Sequence, residues 1–139
     1  MTVQSQQDLV ELFSQEWVEH ARRLWEEVVT PNLVEPESYD YIMEFGVIDG
    51  DEVATIRPEK GVAVEAVAGK KYPDEQCGFI LYATRDNWRK VAQGLLDPVG
   101  AVASKRIHMR KGPMPVVIRE ANPTKLFLSG FGRIPTRWE

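Results

Sequence analysis

The chain has 139 residues, of which 43% are hydrophobic and 27% are charged, and its formal net charge is −4. These values are typical of one folded domain that buries roughly two-thirds of its unfolded surface, and they exclude a disordered or fibrous chain. The sequence pI of 5.3 disfavours general nucleic-acid binding, and no apolar run is long enough to predict a transmembrane segment.

The first predicted element is a long amphipathic helix within residues 1–30. Apolar residues recur at steps of three or four from Leu9 to Val28, with charged residues between them. The helix should end by Thr30, because the residue before Pro31 avoids helical geometry. Two tryptophans lie in the apolar stripe, and we expect them to pack in the core rather than to line a ligand site.

Residues 39–112 contain a predicted sheet and a pair of helices. The segment YDYIMEFGVIDGDEVATIRP predicts two strands joined at an Asp-Gly turn, and GVAVEAVAG (61–69) predicts a third strand. The segment FILYA (79–83) is apolar on both faces, which is typical of an interior strand. A helix followed by a meander of strands indicates the α+β class.

Two short helices are expected after this strand. Thr84 can cap a helix from Arg85 to about Leu96, and Asp97-Pro98 predicts the start of a second helix. The buried stripe of the first helix is predicted to be Trp88, Val91, Ala92 and Leu95. The segment RIHMRK then alternates, which predicts a strand with Ile107 and Met109 inward and with Arg106, His108 and Arg110 outward.

The order of these features resembles the sterol carrier protein 2 (sterol-binding domain) family. In that family a Ser/Thr-x-x-x-Trp motif precedes a Gly-x-x-Asp/Asn-Pro-x-x-Ala passage and a short strand closed by glycine. Here the corresponding residues are Thr84-x-x-x-Trp88, QGLLDPVGAV and the strand before Gly112. The resemblance extends from about Trp17 to Leu128. The tail KLFLSGFGRIPTRWE, within residues 113–139, matches no segment of the family.

The resemblance implies an α+β fold, in which helices cover one side of a five-stranded, mainly antiparallel or mixed sheet. In the family this architecture encloses an apolar tunnel for a fatty acid, acyl-CoA, sterol or similar lipid, and it implies no catalysis. Relatives also serve as accessory or dimerisation domains of metabolic enzymes. An interaction module with a filled pocket is therefore the alternative interpretation.

An apolar ligand would contact residues on the inward faces of the predicted elements. The candidates are Phe79, Leu81, Trp88, Val91, Leu95, Ile107 and Met109, joined by Val117, Leu126, Phe127 and Phe131 from the tail. Ordinary core packing explains each of these residues equally well. A lipid tail of about sixteen carbons has a gross transfer free energy of ~13 kcal/mol, so after ordering costs we expect micromolar affinity.

Charge is divided unevenly between the two halves of the sequence. Residues 1–84 carry a net charge of −11 and residues 85–139 a net charge of +7. Arg106, Arg110 and Lys111 could meet an anionic headgroup, although a solvated strand edge explains them as well. The two halves could instead complement each other within the chain or across a homodimer, and a transient membrane contact stays open.

Patterns for catalysis and metal binding are weak. Cys77 and His108 could form a nucleophile and its base, yet nothing in the sequence marks an oxyanion hole for them. One cysteine and two histidines give no zinc-type ligand spacing, and a lone cysteine is typical of a reducing compartment. We therefore expect one cytoplasmic domain that carries an apolar small molecule, with no catalytic residue, metal, cofactor or nucleic-acid partner.

Overall fold

The computed structural model describes residues 9–33, 40–112 and 121–138. In chain order its elements are β1 (Val10–Glu11), α1 (Gln15–Leu24), β2 (Ile42–Val47), β3 (Val53–Glu59), β4 (Val62–Ala68), β5 (Cys77–Ala83), α2 (Arg85–Ala92), α3 (Pro98–Ala103), β6 (Ile107–Lys111), α4 (Ala121–Ser129) and β7 (Thr136–Arg137). The α+β class predicted from the sequence is confirmed.

Five strands form the main sheet in the order β4-β3-β2-β5-β6. The β2–β5 pair is parallel and the other three pairs are antiparallel, so the sheet is mixed. The segment FILYA lies in β5, between β2 and β6, and its apolar character on both faces fits this interior position. The inward residues of the sheet share one hydrophobic core with the helices.

The N-terminal helix begins later than the apolar spacing predicts. Its first residue is Gln15 rather than Leu9, because Ser14 Oγ accepts a hydrogen bond from the Trp17 amide (3.2 Å) and caps the helix there. The preceding residue, Phe13, has a φ of 60° and interrupts helical geometry. The residues before it form β1, which pairs in parallel with β7 from the opposite end of the chain.

The helical segment ends two residues beyond the predicted position. After α1 the chain continues as a π-helical turn over Trp25–Val29 and a 3₁₀ turn over Thr30–Asn32. The 3₁₀ turn contains Pro31, and the next residue, Leu33, is extended. Thr30 keeps helical geometry (φ −52°, ψ −47°) although it precedes Pro31, so the reason for the predicted end is wrong and the helical turns continue to Asn32.

The two helices after β5 have the predicted caps. Thr84 Oγ1 accepts from the Asn87 amide (3.1 Å), and Asp97 Oδ2 accepts from the Gly100 amide (2.9 Å). Pro98 is the first residue of α3, where its missing amide proton costs no hydrogen bond. Both starts are therefore confirmed.

The end of α2 differs from the prediction. The helix stops at Ala92 rather than near Leu96, because Gly94 adopts a φ of 77° just beyond it. Leu95 consequently leaves the helical stripe, and its side chain is 65% exposed. The predicted burial of Leu95 is thus wrong.

The tail, for which the sequence offered no placement, completes the core. It forms α4, a 3₁₀ turn over Gly130–Arg133, and β7. Phe127 and Phe131 project from the tail into the core and are fully buried. Trp17 Nε1 donates to Thr136 Oγ1 (3.0 Å) in a buried contact that fastens the end of the described chain to α1.

Candidate functional site

An apolar layer lies between the main sheet and the helices. Phe45 of β2, Leu81 of β5 and Ile107 of β6 form its floor, and Trp88 of α2 lies among the residues that cover it. We call this set of buried side chains, together with those of the tail, the apolar layer. It is the part of the fold that the resemblance associates with a lipid.

Aromatic rings occupy the middle of the apolar layer. The centroid of Phe131 lies 5.0 Å from that of Trp17, 5.1 Å from Phe127, 6.0 Å from Trp88 and 6.1 Å from Phe45. Most of these contacts are edge-to-face, which is the favourable geometry for aromatic pairs. Rings from the two ends of the sequence thus meet above the centre of the sheet.

The structure brings most of the predicted ligand-contacting residues into this layer. Those that are buried in it are Phe79, Leu81, Trp88, Val91, Ile107, Phe127 and Phe131. Met109 and Leu126 are partly buried and pack against the same core. Leu95 is exposed and lies apart from them, while Val117 lies outside the described residues.

Two residues that contact Trp88 in this layer are not among the predicted ligand contacts. The ring centroids of Phe13 and Phe45 lie 5.7 and 6.2 Å from that of Trp88. The sequence patterns assign both to apolar faces, Phe45 by alternation in its strand and Phe13 by the spacing of the N-terminal stripe, and the structure buries both. The reason for Phe13 differs from the prediction, because it lies in the turn before α1 rather than in the helix.

The apolar layer reaches the surface around α3. Leu95 and Val99 are 65% and 49% exposed, whereas Leu96 and Val102 are partly buried against the core. We call these four residues the apolar rim. Val99 and Val102 lie in α3, which packs against both β6 and α4. The rim therefore adjoins the strand of Met109 and the helix of Leu126.

The opposite face of the sheet carries a buried polar cluster. The Glu44 side chain is only 3% exposed and accepts from Lys70 Nζ (2.7 Å) and from the Tyr82 hydroxyl (2.6 Å). Lys70 also donates to Asp74 (2.6 Å). The loop between β4 and β5 therefore lies over this face, and both oxygens of the buried carboxylate have partners.

Tyr82 and Lys70 of this cluster both keep their protons at neutral pH. Burial and the hydrogen bond to Glu44 raise the pKa of Tyr82 to about 12. Burial alone would lower the pKa of Lys70, but its hydrogen bonds to Asp74 and Glu44 outweigh burial and raise it. At neutral pH neither residue is available as a base, so the arrangement is suited to fastening the loop.

Cys77 and His108 do not come together. Cys77 is the first residue of β5, while His108 pairs with Tyr82, five residues further along that strand. At the usual rise per residue, about 16 Å of strand separate them. Burial raises the pKa of the Cys77 thiol. The proposed nucleophile and base therefore lie beyond hydrogen-bonding reach, and the thiol stays protonated at neutral pH.

Two of the three predicted basic residues lie on the face of the sheet opposite the apolar layer. The Arg110 guanidinium carbon is 3.8 Å from the ring centroid of Tyr82, on the outer face of the sheet. Lys111 Nζ donates to the Asp74 carbonyl (2.7 Å) on that same face, and Arg106 is exposed just before β6. Arg106 instead lies at the end of α3, where its guanidinium donates to Ser104 Oγ (3.2 Å), so it is the one of the three that adjoins the helix of the apolar rim.

Residues 9–33, 40–112 and 121–138 contain neither a cluster of metal ligands nor a membrane-spanning helix. In these ranges no group of three or more His, Cys, Asp or Glu residues could hold a metal ion. No helix in the same ranges is both long and apolar enough to cross a membrane.

Comparison of the fold with solved structures identifies close architectural relatives. A crystal structure of sterol carrier protein 2 superposes with a TM-score of 0.73 at 16% identity, covering 89% of this chain and 99% of that one. A conserved hypothetical protein of Thermus thermophilus, suggested to be a sterol carrier protein, gives 0.72 at 16% identity, covering 91% and 92%.

A part of a larger enzyme is also similar. The stereoselective inverting sec-alkylsulfatase Pisa1 from Pseudomonas sp. gives a TM-score of 0.50 at 13% identity, covering 84% of this chain but 16% of the sulfatase. By sequence, no protein-family model and no curated protein matches. The chain therefore has the α+β fold of sterol carrier protein 2.

Proposed function

We propose that this protein binds a hydrophobic small molecule, such as a fatty acid, acyl-CoA or sterol, in the apolar layer, and that it catalyses no reaction. The observation that carries the proposal is the fold, which sterol carrier protein 2 and a conserved hypothetical protein suggested to be a sterol carrier share over about nine-tenths of the chain. The apolar layer supports it, because seven of the eleven residues predicted to contact a ligand are buried there.

The apolar rim is the proposed entrance to this site. Leu95, just before α3, and Val99, within it, both expose apolar side chains to solvent. A lipid chain that passed between α3 and α4 would meet Leu126, which is partly buried, before it reached the rings beneath. Binding then requires small displacements of Phe127 and Phe131, because their rings fill the space below α4.

Native mass spectrometry of the purified chain, followed by solvent extraction, tests the proposal directly. We expect an adduct with the mass of a lipid, or uptake of a fluorescent fatty acid with micromolar affinity. An unliganded mass together with no uptake of fatty acid, acyl-CoA or sterol would refute the carrier function.

The entrance is tested with charged substitutions on exposed apolar residues. Val99→Glu should slow uptake of the fluorescent fatty acid about tenfold, because a carboxylate at the rim is poorly compatible with a passing apolar chain. Val64→Glu is the matched control, since Val64 is 40% exposed on the edge strand β4 at the other side of the sheet. Equal effects of the two substitutions would show that the lipid does not pass the rim.

A second candidate is an interaction module whose apolar layer is permanently filled. The close ring contacts of Phe131 favour it, as does the similarity to one part of a much larger sulfatase. This candidate predicts a stable oligomer or enzyme complex that contains no lipid. Size-exclusion chromatography with light scattering, combined with the extraction experiment, distinguishes the two functions.

A further inference from the structure

The two edges of the main sheet differ in what covers their backbone. At the β4 edge, the Gln15 side chain donates to the Ala66 carbonyl (3.2 Å) and accepts from the Ala68 amide (3.0 Å). Arg22 Nε of the same helix donates to the Ala63 carbonyl (2.9 Å). Side chains of α1 thus occupy the backbone positions that a further strand would need, and this edge is closed.

The β6 edge has no comparable cover in the described part of the chain. Asn87 Nδ2 donates to the carbonyl of Arg106 (3.1 Å), one residue before the strand begins. Across residues 9–33, 40–112 and 121–138, no side chain of another element hydrogen-bonds to the backbone of Ile107–Lys111. An edge strand with open backbone donors and acceptors is a template for strand pairing.

The outward side chains of β6 are basic. His108 is opposite Tyr82 on the outer face, and the pairing of β5 with β6 then shifts register. This shift leaves one extra residue in β6 and turns both Arg110 and Lys111 outward. Lys111 is engaged with the loop above the sheet, whereas His108 and Arg110 are exposed.

Arg110 is oriented by the side chain beneath it. Its guanidinium carbon lies 3.8 Å from the centroid of the Tyr82 ring, a cation–π contact. That ring in turn lies close over Gly46, where an added Cβ would come within 2.1 Å of a ring carbon. Among the described residues, Arg106, His108 and Arg110 form no ion pair with a carboxylate.

We propose that the β6 edge binds an extended acidic segment of a partner protein by strand addition. Successive outward side chains on a strand lie about 7 Å apart, so acidic residues at alternate positions of the partner would face Arg106, His108 and Arg110 in turn. Opposite charges across a strand pair stabilise it. A second copy of β6 is the wrong partner, because its arginines would face these arginines.

The probe is a capped synthetic peptide, Thr-Glu-Val-Glu-Val-Glu-Thr, titrated into the full chain at low salt. Calorimetry measures its affinity, and NMR follows the backbone amides. Binding should perturb the amides of Ile107–Lys111 selectively. A peptide of the same composition with its three glutamates adjacent should bind more weakly, and a version N-methylated at alternate amides should not bind, because it cannot complete the ladder.

Substitutions in the chain locate the contact. Arg106→Gln and Arg110→Gln should each weaken peptide binding about two- to fivefold, as expected for a cross-strand charge pair. Arg133→Gln is the matched control, because Arg133 is also an exposed arginine but lies in the 3₁₀ turn that packs against α2. All three changes are at exposed side chains, and circular dichroism checks that each variant is folded.

Four outcomes would overturn the proposal. Equal binding of the two glutamate arrangements, or an effect of Arg133→Gln as large as that of Arg110→Gln, would indicate non-specific attraction. Binding to phosphatidylserine vesicles but not to the peptide would identify a membrane surface as the partner instead. If neither the peptide nor the vesicles bind, the basic side chains of the β6 edge serve only to prevent aggregation.

Discussion

Replacing Phe131 with alanine tests whether the tail completes the core. The ring is 1% exposed and lies 5.0–6.1 Å from the rings of Trp17, Phe45, Trp88 and Phe127. Truncating a buried phenylalanine costs about 3–5 kcal/mol of unfolding free energy, and each aromatic pair contributes about 0.5–1.5 kcal/mol beyond area burial. Because this ring makes four such contacts, we expect the cost of Phe131→Ala to lie at the upper end of the range for truncation, at about 4–5 kcal/mol.

Urea unfolding, followed by tryptophan fluorescence and circular dichroism, measures this loss. Leu95→Ala is the control, because Leu95 is exposed and its truncation should change the unfolding free energy by less than about 0.5 kcal/mol. Phe131→Leu, which keeps most of the apolar volume, should cost about 1–2 kcal/mol and covers the case in which the alanine variant fails to fold. A cost for Phe131→Ala below about 1 kcal/mol would refute the packing of the tail into the apolar layer.

Three further substitutions test local features of the fold. Thr84→Ala should cost about 1 kcal/mol by urea unfolding, because it removes the cap of α2, while Thr84→Ser should be nearly neutral; equal costs would contradict the capping role. Gly46→Ala should cost about 1–3 kcal/mol, because the new Cβ collides with the Tyr82 ring, and a Tyr82→Ala background should relieve most of that cost. Hydrogen bonds from Lys71 and Tyr72 lower the pKa of Glu65. The stability that Glu65 contributes is therefore present above its unfolded pKa of about 4.3 and is lost as the pH falls through its folded value. Glu65→Gln should reduce the urea midpoint at pH 7 more than at pH 3, and an equal reduction at both would contradict this assignment.

The predictions that succeeded depend on neighbours in the sequence. Thr84 and Asp97 cap helices through amides three residues ahead, and alternation alone assigns Ile107 to the inward face of β6. The start of α1 was wrong for the converse reason. Leu9 and Leu12 have apolar spacing that continues the helix, but Val10 between them pairs with Thr136 from the other end of the chain, and no local pattern predicts such a pairing.

In the candidate site too, residues placed by local patterns were predicted and residues placed by distant contacts were not. Trp88 and Leu81 could be assigned to an inward face from periodicity, and the structure buries both. Leu95 was misplaced because one glycine ended the helix early. The buried Glu44 cluster was not predicted, since a charged residue in a strand ordinarily faces water. Only the loop above the sheet brings Lys70 to one of its oxygens, while Tyr82 reaches the other from β5.

The sequence by itself determined the class of fold, the starts of α2 and α3, and the five strands of the main sheet, because each depends on interactions within a few residues. The tertiary structure alone decided what fills the apolar layer and what covers each edge of the sheet. Phe127 and Phe131 reach rings that lie far away in the chain, and Gln15 closes the β4 edge across 51 residues of sequence. Contacts at such separations depend on how all the elements pack together, and the local propensities of the residues do not predict them.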